Sequence, residues 1–149
     1  MDYPENAFNR EDESDDALFY SEARLVVHID AAAITQLKKY LLDQLPEGCT
    51  MLDLMSSWRS HIPDEVTTHQ VYGLGLNGEE MSNNPQLDHW VIKDINKDSN
   101  LPYEDSKFDA VMVVVSIQYM TDPISVFDEV NRVLKKDRKF HVVYSNRMF

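Results

Sequence analysis

The run from Ala110 to Ser116 consists almost entirely of valine, methionine and alanine, and it constrains the fold more than any other part of the chain. A half-buried strand alternates apolar and polar residues, whereas a strand that is covered on both faces reads as one continuous apolar run. The run is also far shorter than the roughly 20 residues that a membrane-spanning helix needs. It therefore predicts a central strand of a parallel sheet, with other elements packed on both faces.

Four further segments have the composition of short strands, and helical patterns or longer connections separate them. Together the predicted strands cover residues 50–55, 71–76, 90–95, 110–116 and 140–144. This order predicts an α/β fold with an open, mostly parallel sheet of about five strands and flanking helices. Ligands of such sheets bind beyond the carboxyl ends of the strands, so the residues that follow each strand are the candidates for a functional site.

Two helices are predicted from capping residues and from apolar residues at three-to-four spacing. The first covers residues 31–45 with Asp30 as its N-cap, and a second begins at Asp122 and Pro123. Their buried faces are predicted to be Ile34, Leu37, Leu41 and Leu45 in the first helix, and Ile124, Phe127, Val130 and Val133 in the second. The pair Asn77 and Gly78 is interpreted first of all as a turn.

Acidic residues outnumber basic ones by 26 to 14, which gives the chain a formal net charge of −12. Residues 1–17 are predicted to be a flexible acidic tail and residues 18–149 a single domain; docking of the tail onto a basic partner is a less favoured interpretation. Nucleic acid is not expected as a partner, because that affinity comes from clustered Lys and Arg. The basic cluster, Lys135, Lys136, Arg138 and Lys139, is expected at the C-terminal end of a helix instead.

The chain has one cysteine, Cys49, so a disulfide framework is excluded, and the thiol is expected to be a small core residue. The five histidines show no metal-ligand spacing, and no metal site is predicted. No membrane partner is predicted either, since no apolar segment is long enough to span a bilayer.

Two stretches resemble class I S-adenosylmethionine-dependent methyltransferases, in particular the type 11 group. Asp94 with residues 101–111 resembles that group's pattern D-(x)n-LPF-x-D-x-SFD-x-V, and residues 119–135 resemble its next helix with an R-V-L-K ending. Residues 52–58 and 145–149 resemble a methyltransferase-like branch of plants, algae and cyanobacteria. The resemblance implies a Rossmann-like fold and S-adenosylmethionine as the cofactor.

Family knowledge also implies where the cofactor would bind. In the family the first strand ends in an acid and a G-x-G-x-G loop, the second in an acid that holds the ribose hydroxyls, and the third in residues that contact adenine. Carried over position by position, the resemblance implies cofactor contacts by Asp53, Ser56, Ser57, Asn77, Asp94, Ile95 and Ser116. No catalytic residue is identified, and Tyr119 and Gln118 are the candidates for facing the methyl acceptor.

The chain departs from the family pattern after its first two strands. Met55, Ser57 and Arg59 occupy the three glycine positions of the loop, and Gly75 stands where the ribose-binding acid is expected. Glycine at such positions lets backbone approach a ligand closely, so side chains there would narrow or reshape the pocket. Glu79 and Glu80 could replace the missing acid only if their loop turned back.

Several of these residues have a structural interpretation beside the functional one. Asp53 could shape the following loop through hydrogen bonds, and Ser56 and Ser57 could cap a short helix. Tyr119 could be a half-buried core residue.

Two functions are consistent with these features. The first is methyl transfer to a small-molecule or protein acceptor; the second is a binding or assembly module with a degenerate cofactor site. The family fold continues into further strands after the fifth, and these are expected to be missing here. Either the sequence is a fragment, or a second copy or a protein partner pairs with the exposed sheet edge. An intracellular, reducing compartment is expected, either the cytoplasm or the chloroplast stroma.

Overall fold

The computed structural model describes residues 3–4, 6–10 and 12–145, so the predicted resemblance at 146–149 lies outside the described residues. Five strands form one sheet: β1 (Cys49–Leu54), β2 (Thr68–Gly75), β3 (His89–Ile92), β4 (Phe108–Val114) and β5 (Leu134–Val143). Their spatial order is β3-β2-β1-β4-β5, and every neighbouring pair is parallel. The predicted α/β fold class, an open parallel sheet of five strands, is confirmed.

The helices are α1 (Asp16–Phe19), α2 (Ala31–Gln44), α3 (Gly78–Ser82) and α4 (Pro123–Val133), and a 3₁₀ turn covers Ile117–Tyr119. Asp30 caps α2 as predicted, because its carboxylate accepts a hydrogen bond from the N–H of Ala33 at 2.8 Å. Within the described residues no helix combines the length and the apolar composition that crossing a bilayer requires.

The two faces of the sheet bury separate apolar clusters, because successive side chains of a strand point to opposite faces. Met51 of β1 packs with Leu37 and Leu41 of α2. Its neighbour Leu52 belongs to the cluster on the other face, which includes Val130 of α4. Strand β4 contributes to both clusters, so the prediction of a strand that is covered on both faces is confirmed. Cys49 is buried, as predicted.

The buried face of α4 differs from the predicted one. Val126, Val130 and Val133 are buried, whereas the predicted Ile124 and Phe127 are 45% and 37% exposed. Both sets satisfy three-to-four spacing, so periodicity alone does not choose between them. The sheet beneath α4 sets its rotation, and the Phe127 ring packs edge-on against the ring of Phe140 on β5, with 5.4 Å between the ring centroids.

Strand β5 begins at Leu134, directly after α4, rather than at the predicted residue 140. Its register against β4 shifts between Phe108 and Ala110, and Asp137 has a positive φ of 61° in the inserted stretch. A bulge of this kind admits extra residues without ending the strand. The earlier start could not be predicted from local patterning, because the stretch before residue 140 is almost entirely charged.

The basic cluster consequently lies on β5, and its predicted position at the end of a helix is wrong. Lys135 and Arg138 reach the carboxylate of Asp109 on β4, with N···O distances of 2.9 and 3.5 Å. Burial alone would raise the pKa of Asp109, but hydrogen bonds from Lys135 and from the N–H of Thr50, together with the positive charges of Lys135 and Arg138, lower it. The cluster therefore holds β5 against β4 at the amino-terminal end of the pair.

Arg132 of α4 anchors the loop before β4. Its guanidinium donates to the carbonyl oxygens of Leu101 and Tyr103 at 2.9 and 2.8 Å. It also donates to Asp105 at 2.8 Å and to both carboxylate oxygens of Glu129 at 2.7 and 2.8 Å. All five residues belong to the two stretches that carry the family resemblance, so that pattern has a structural role in this chain.

Replacing Arg132 by lysine is expected to lower the free energy of unfolding by about 2 kcal/mol, as measured by urea denaturation. A lysine ammonium keeps the charge but cannot reproduce the planar fork that serves four partners at once. The side chain is 32% exposed, so its ion pairs contribute less than buried ones would. The matched control is Arg138→Lys on β5. Its ion pair, at 3.5 Å to Asp109, comes from an exposed side chain and can also be made by a lysine ammonium, so stability should change by less than about 0.5 kcal/mol. Equal losses in the two variants would contradict the anchoring role.

Residues 16–29 cross the carboxyl edge of the sheet, and we call them the cover segment. Asn77 donates to the carbonyl oxygen of Tyr20 at 2.8 Å, and Asn96 donates to Asp16 at 3.0 Å. Just before the segment, Asp15 pairs with Lys97 at 2.7 Å. Helix α1 spans the predicted boundary between a tail and a domain at residues 17 and 18; that boundary stays a prediction.

Candidate functional site

The carboxyl ends of the strands border a cavity of about 370 Å³, and the cover segment forms part of its lining. The cavity lies where the strand order reverses, because β2 and β3 follow β1 on one side while β4 and β5 lie on the other. Ligands of open α/β sheets bind at such a switch point. All seven residues predicted to contact a cofactor line this one cavity: Asp53, Ser56, Ser57, Asn77, Asp94, Ile95 and Ser116.

Asp53 ends β1 with a carboxylate that is buried beneath the cavity. One of its oxygens, Oδ2, accepts hydrogen bonds from the hydroxyls of Ser56 and Ser60 at 2.7 and 2.6 Å. Burial raises the pKa of Asp53 to about 6, and the two hydroxyls oppose that shift. Asp53 therefore shapes the loop that follows β1, as its structural interpretation expected, and it also lines the cavity.

The loop after β1 carries side chains at the three positions where the family has glycine. Met55 has a positive φ of 59°, the conformation that glycine adopts most easily, and its side chain packs against the core. Ser57 donates to Glu80 at 2.6 Å. Arg59 is exposed, and its guanidinium lies over the ring of Trp58. The three side chains border the cavity and leave its volume open.

No helix begins at Ser56 or Ser57, since residues 55–67 are described and contain none. The interpretation of these serines as helix caps is therefore wrong: the Ser56 hydroxyl binds Asp53 and the Ser57 hydroxyl binds Glu80. The backbone N–H of Ser56 instead donates to the carbonyl of Leu74 on β2 at 2.8 Å, which draws this loop against the end of β2.

That close approach explains the glycine at the end of β2. A Cβ on Gly75 would lie 2.3 Å from the carbonyl oxygen of Ser56, a distance at which backbone has to move. An acid, which is the residue type that the family pattern expects at this position, does not fit there. Two residues on, Asn77 is the N-cap of α3, because its side chain accepts from the N–H of Glu80 at 2.9 Å. The interpretation of Asn77 and Gly78 as a simple turn is corrected to a helix start.

Glu80 is a buried carboxylate of the site that the predicted set does not contain. It lies in the first turn of α3, is 5% exposed, and lines the cavity. Its Oε1 accepts from the backbone N–H of Arg24 in the cover segment at 2.7 Å, and its Oε2 accepts from Ser57. The spacing of Asn77 and Glu80 is that of a capping box, which could have placed Glu80 on the first turn of a helix.

The end of β3 supplies Asp94, Ile95 and Asn96. The carboxylate of Asp94 accepts from the N–H of Asn96 at 3.0 Å and lies 3.6 Å from the ammonium of Lys97. Ile95 is buried and belongs to the apolar core beneath the cavity. The side chain of Asn96 donates to the carbonyl of Tyr119 at 2.9 Å, besides its bond to the cover segment. Asn96 thus joins three elements around the site. It directly follows the predicted third strand and so lies among the candidate positions, but it was not singled out as a cofactor contact.

The end of β4 holds a strained residue beside the cavity. Val115 has a positive φ of 47°, which is a genuine outlier for a β-branched side chain. Its N–H donates to the carbonyl of Val143 on β5 at 2.7 Å, and the Ser116 hydroxyl donates to the carbonyl of Val114 at 3.0 Å. Strained backbone of this kind clusters at ligand-binding sites, because the surrounding structure has to maintain it.

The two candidates for facing an acceptor lie on the 3₁₀ turn after β4, and the structure separates them. Tyr119 lines the cavity together with Ser116. Gln118 lines a neighbouring groove of about 420 Å³ that also includes Ile117 and Phe127, and its side chain donates to the carbonyl of Val115.

No group of three or more His, Cys, Asp or Glu residues is placed to hold a metal ion in the part of the chain that the structure describes. The predicted absence of a metal site remains a prediction.

Solved structures with the same fold include several methyltransferases. The PH0226 protein from Pyrococcus horikoshii is 21% identical, with a TM-score of 0.64 over 84% of this chain and 62% of that one. A SAM-dependent methyltransferase from Aquifex aeolicus is 17% identical, with a TM-score of 0.54 over 76% and 72% of the two chains. At these identities the likeness shows the fold alone.

A third structure is the complex between the Haloferax volcanii methyltransferase activator Trm112 and a protein assigned as a methyltransferase. The match has 23% identity and a TM-score of 0.59, and it covers 75% of this chain. This chain spans only 55% of the length of that one.

The sequence itself matches a family model. The model Methyltransf_11, described as a methyltransferase domain, matches residues 57–142, which is more than half of the chain. No curated protein matches the chain. The matched residues include the ends of β2, β3 and β4 around the cavity, together with the loop that Arg132 anchors. This chain therefore belongs to the Methyltransf_11 family of methyltransferase domains, and its fold is that of class I methyltransferases.

Proposed function

We propose that this chain is an S-adenosylmethionine-dependent methyltransferase that binds its cofactor in the cavity at the carboxyl edge of the sheet. The observation that carries the proposal is that the seven residues singled out by family resemblance, from four different strand ends, surround one cavity at the switch point. The methyl acceptor is proposed to be a small molecule or a protein.

The cavity suits this cofactor in size and in chemistry. Its volume of about 370 Å³ lies in the range of small-molecule sites, which is about 300–1,000 Å³. The carboxylates of Asp53, Glu80 and Asp94 border it, together with apolar side chains such as Ile95. S-Adenosylmethionine carries an apolar-faced purine, two ribose hydroxyls, two cationic groups and one carboxylate, so it needs an apolar surface, several acceptors and a donor for its carboxylate. The described lining provides all three, the last through Arg59.

Methyl transfer requires little acid–base chemistry from the protein. When bound, the cofactor supplies a methyl group on an activated sulfonium. The residues of this chain would hold it in one orientation and exclude water, which is a large part of the catalytic effect in such reactions. We propose that Asp53, Ser56 and Ser116 border the reacting end, where β1 and β4 diverge, and that Asn77, Asp94 and Ile95 border the nucleoside. Tyr119 is the proposed acceptor-facing residue, and Gln118 lies outside this cavity.

Isothermal titration calorimetry with S-adenosylmethionine tests the proposal. We expect binding with a micromolar dissociation constant, and about tenfold weaker binding after Asp94→Asn, because one charge-assisted hydrogen bond to the ligand is weakened. Asp128→Asn, on the exposed side of α4, is the matched control and should bind like the wild type.

A folded wild-type sample that gives no heat at high-micromolar cofactor concentrations would contradict the proposal. The alternative, a binding or assembly module that keeps the fold with a degenerate cofactor site, would then remain.

We also propose that a protein partner or a second copy pairs with β5. In the described part of the chain β5 pairs with β4 alone, and an unpaired strand edge is a template for another strand. The Trm112 complex supports the general idea that proteins of this fold assemble with others, without favouring this edge.

We also propose that the chain belongs to the methyltransferase-like branch of plants, algae and cyanobacteria, because residues 52–58 resemble that branch.

A further inference from the structure

We infer that Glu80 binds a vicinal diol of the ligand and thereby replaces an acid at the end of β2. The inference rests on the proposed function, because the diol is taken to be that of the cofactor ribose. Glu80 lies on helix α3, whereas the family pattern has its ligand-binding acids at the ends of strands.

The Glu80 carboxylate is held in a fixed orientation at the wall of the cavity. One oxygen accepts from the backbone N–H of Arg24 at 2.7 Å, and the other accepts from the hydroxyl of Ser57 at 2.6 Å. These partners come from the cover segment and from the loop after β1, on two different sides of the carboxylate. With only 5% of the residue exposed, Glu80 has little freedom to turn away from the cavity.

The carboxylate also keeps free acceptor capacity. A carboxylate offers about four lone-pair sites on its two oxygens. Among the described residues two of these sites are used, one on each oxygen. Each oxygen can therefore accept one more hydrogen bond, and Glu80 lines the cavity. Two neighbouring hydroxyls are a matching pair of donors.

The other acids of the cavity are less suited to this role. The Oδ2 of Asp53 already accepts hydrogen bonds from the hydroxyls of Ser56 and Ser60, and its carboxylate is buried beneath the loop after β1. Asp94 faces the N–H of Asn96 and the ammonium of Lys97. At the position where the family pattern expects the acid, Gly75 leaves no room even for a Cβ, which would lie 2.3 Å from backbone. Glu80 remains as the fixed carboxylate nearest in sequence to that position.

The same carboxylate would join the ligand to the cover segment. Because Glu80 accepts the N–H of Arg24, a diol on Glu80 lies directly beneath residues 24–29. Trp58, in the loop after β1, donates to the carbonyl of Val26 at 3.0 Å and holds the segment from the other side. One side chain, Glu80, thus contributes both to recognition of the diol and to the attachment of the cover segment.

The test compares two ligands on two proteins by calorimetry: S-adenosylhomocysteine and its 2′,3′-dideoxy analogue, with wild type and Glu80→Gln. We expect the wild type to prefer the diol-bearing ligand about thirtyfold, and Glu80→Gln to reduce that preference to about threefold. Glutamine keeps the size and one acceptor oxygen but removes the charge and half of the acceptor capacity. Glu79→Gln, the exposed neighbour on α3, is the matched control and should keep the wild-type preference.

The outcomes separate this inference from the proposed function. If wild type binds both ligands equally, or if Glu80→Gln weakens both by the same factor, the inference is overturned while the proposed cofactor site stands. If wild type binds neither ligand, the proposed function fails and the inference fails with it. The wild-type comparison needs no variant, so equal binding of the two ligands overturns the inference even if Glu80→Gln does not fold. In that case Glu80→Asp, which keeps the charge but withdraws the carboxylate by one methylene, takes its place and should likewise lose most of the preference.

Discussion

Replacing Gly75 by alanine is expected to lower the free energy of unfolding by about 3 kcal/mol, the upper end of the usual cost of overpacking. The added Cβ would lie 2.3 Å from the carbonyl oxygen of Ser56, which is backbone and cannot rotate away. Relief requires the end of β2 to separate from the loop after β1, and that movement strains the bond from the Ser56 N–H to the carbonyl of Leu74. Urea denaturation measures the loss, and for a chain of this size the melting temperature should fall by roughly 6–12 °C.

The neighbouring glycine of the same strand provides the matched control. A Cβ on Gly73 would meet the Cδ1 atom of Leu87 at 2.6 Å, which is the flexible end of a side chain. Gly73→Ala should therefore cost about 1 kcal/mol, since Leu87 can change its rotamer. Equal stabilities of the two alanine variants would contradict the close approach of the loop to β2.

Gly75→Asp restores the residue type that the family pattern expects, yet it should be at least as damaging as alanine. The carboxylate brings the same clashing Cβ and adds a buried charge to the end of β2. A folded Gly75→Asp variant with tighter cofactor binding would contradict both the packing argument and the role assigned to Glu80. The absence of an acid at this position is thus a consequence of how the loop packs, and it does not by itself indicate a lost site.

The strands and the α2 helix could be predicted because their signals are local. The apolar run of β4 and the N-cap residue Asp30 can each be recognised from a few neighbouring residues of the sequence. The set of cofactor-site candidates could be predicted from family resemblance, because the carboxyl ends of parallel strands necessarily meet at one edge. All seven of these residues line the cavity, while their contacts with a ligand stay a prediction.

The features that were missed depend on contacts between distant parts of the chain. Strand β5 starts early because Lys135 and Arg138 pair with Asp109, which lies more than 25 residues away. The α4 helix turns Val126 inward because the sheet beneath it selects one of two equally periodic faces. Glu80 joins the site through Arg24 and Ser57, and neither partner can be identified from the sequence around Glu80.

The buried carboxyl of Asp53 is expected to make folding stability depend on pH. Burial raises its pKa in the folded chain to about 6, against an ordinary value of 3.8. Well below pH 3.8 the group is protonated in both the folded and the unfolded chain, and its full contribution to stability is present. Between pH 3.8 and about 6 the unfolded chain has released this proton while the folded chain still holds it. The free energy of unfolding therefore falls by about 3 kcal/mol as the pH rises through this range.

Comparing wild type with Asp53→Asn isolates this effect, because every other titrating group is common to the two proteins. Both serine hydroxyls bind a single oxygen of Asp53, so the amide oxygen of asparagine can accept them in the same way. The free energy of unfolding of wild type minus that of Asp53→Asn should fall by about 3 kcal/mol between pH 3 and pH 7, by urea denaturation. The same difference for Asp128→Asn, an exposed acid on α4, should stay constant over this range. If the difference in the free energy of unfolding between wild type and Asp53→Asn does not change with pH, burial does not raise the pKa of Asp53. Water would then reach its carboxylate between Ser56 and Ser60.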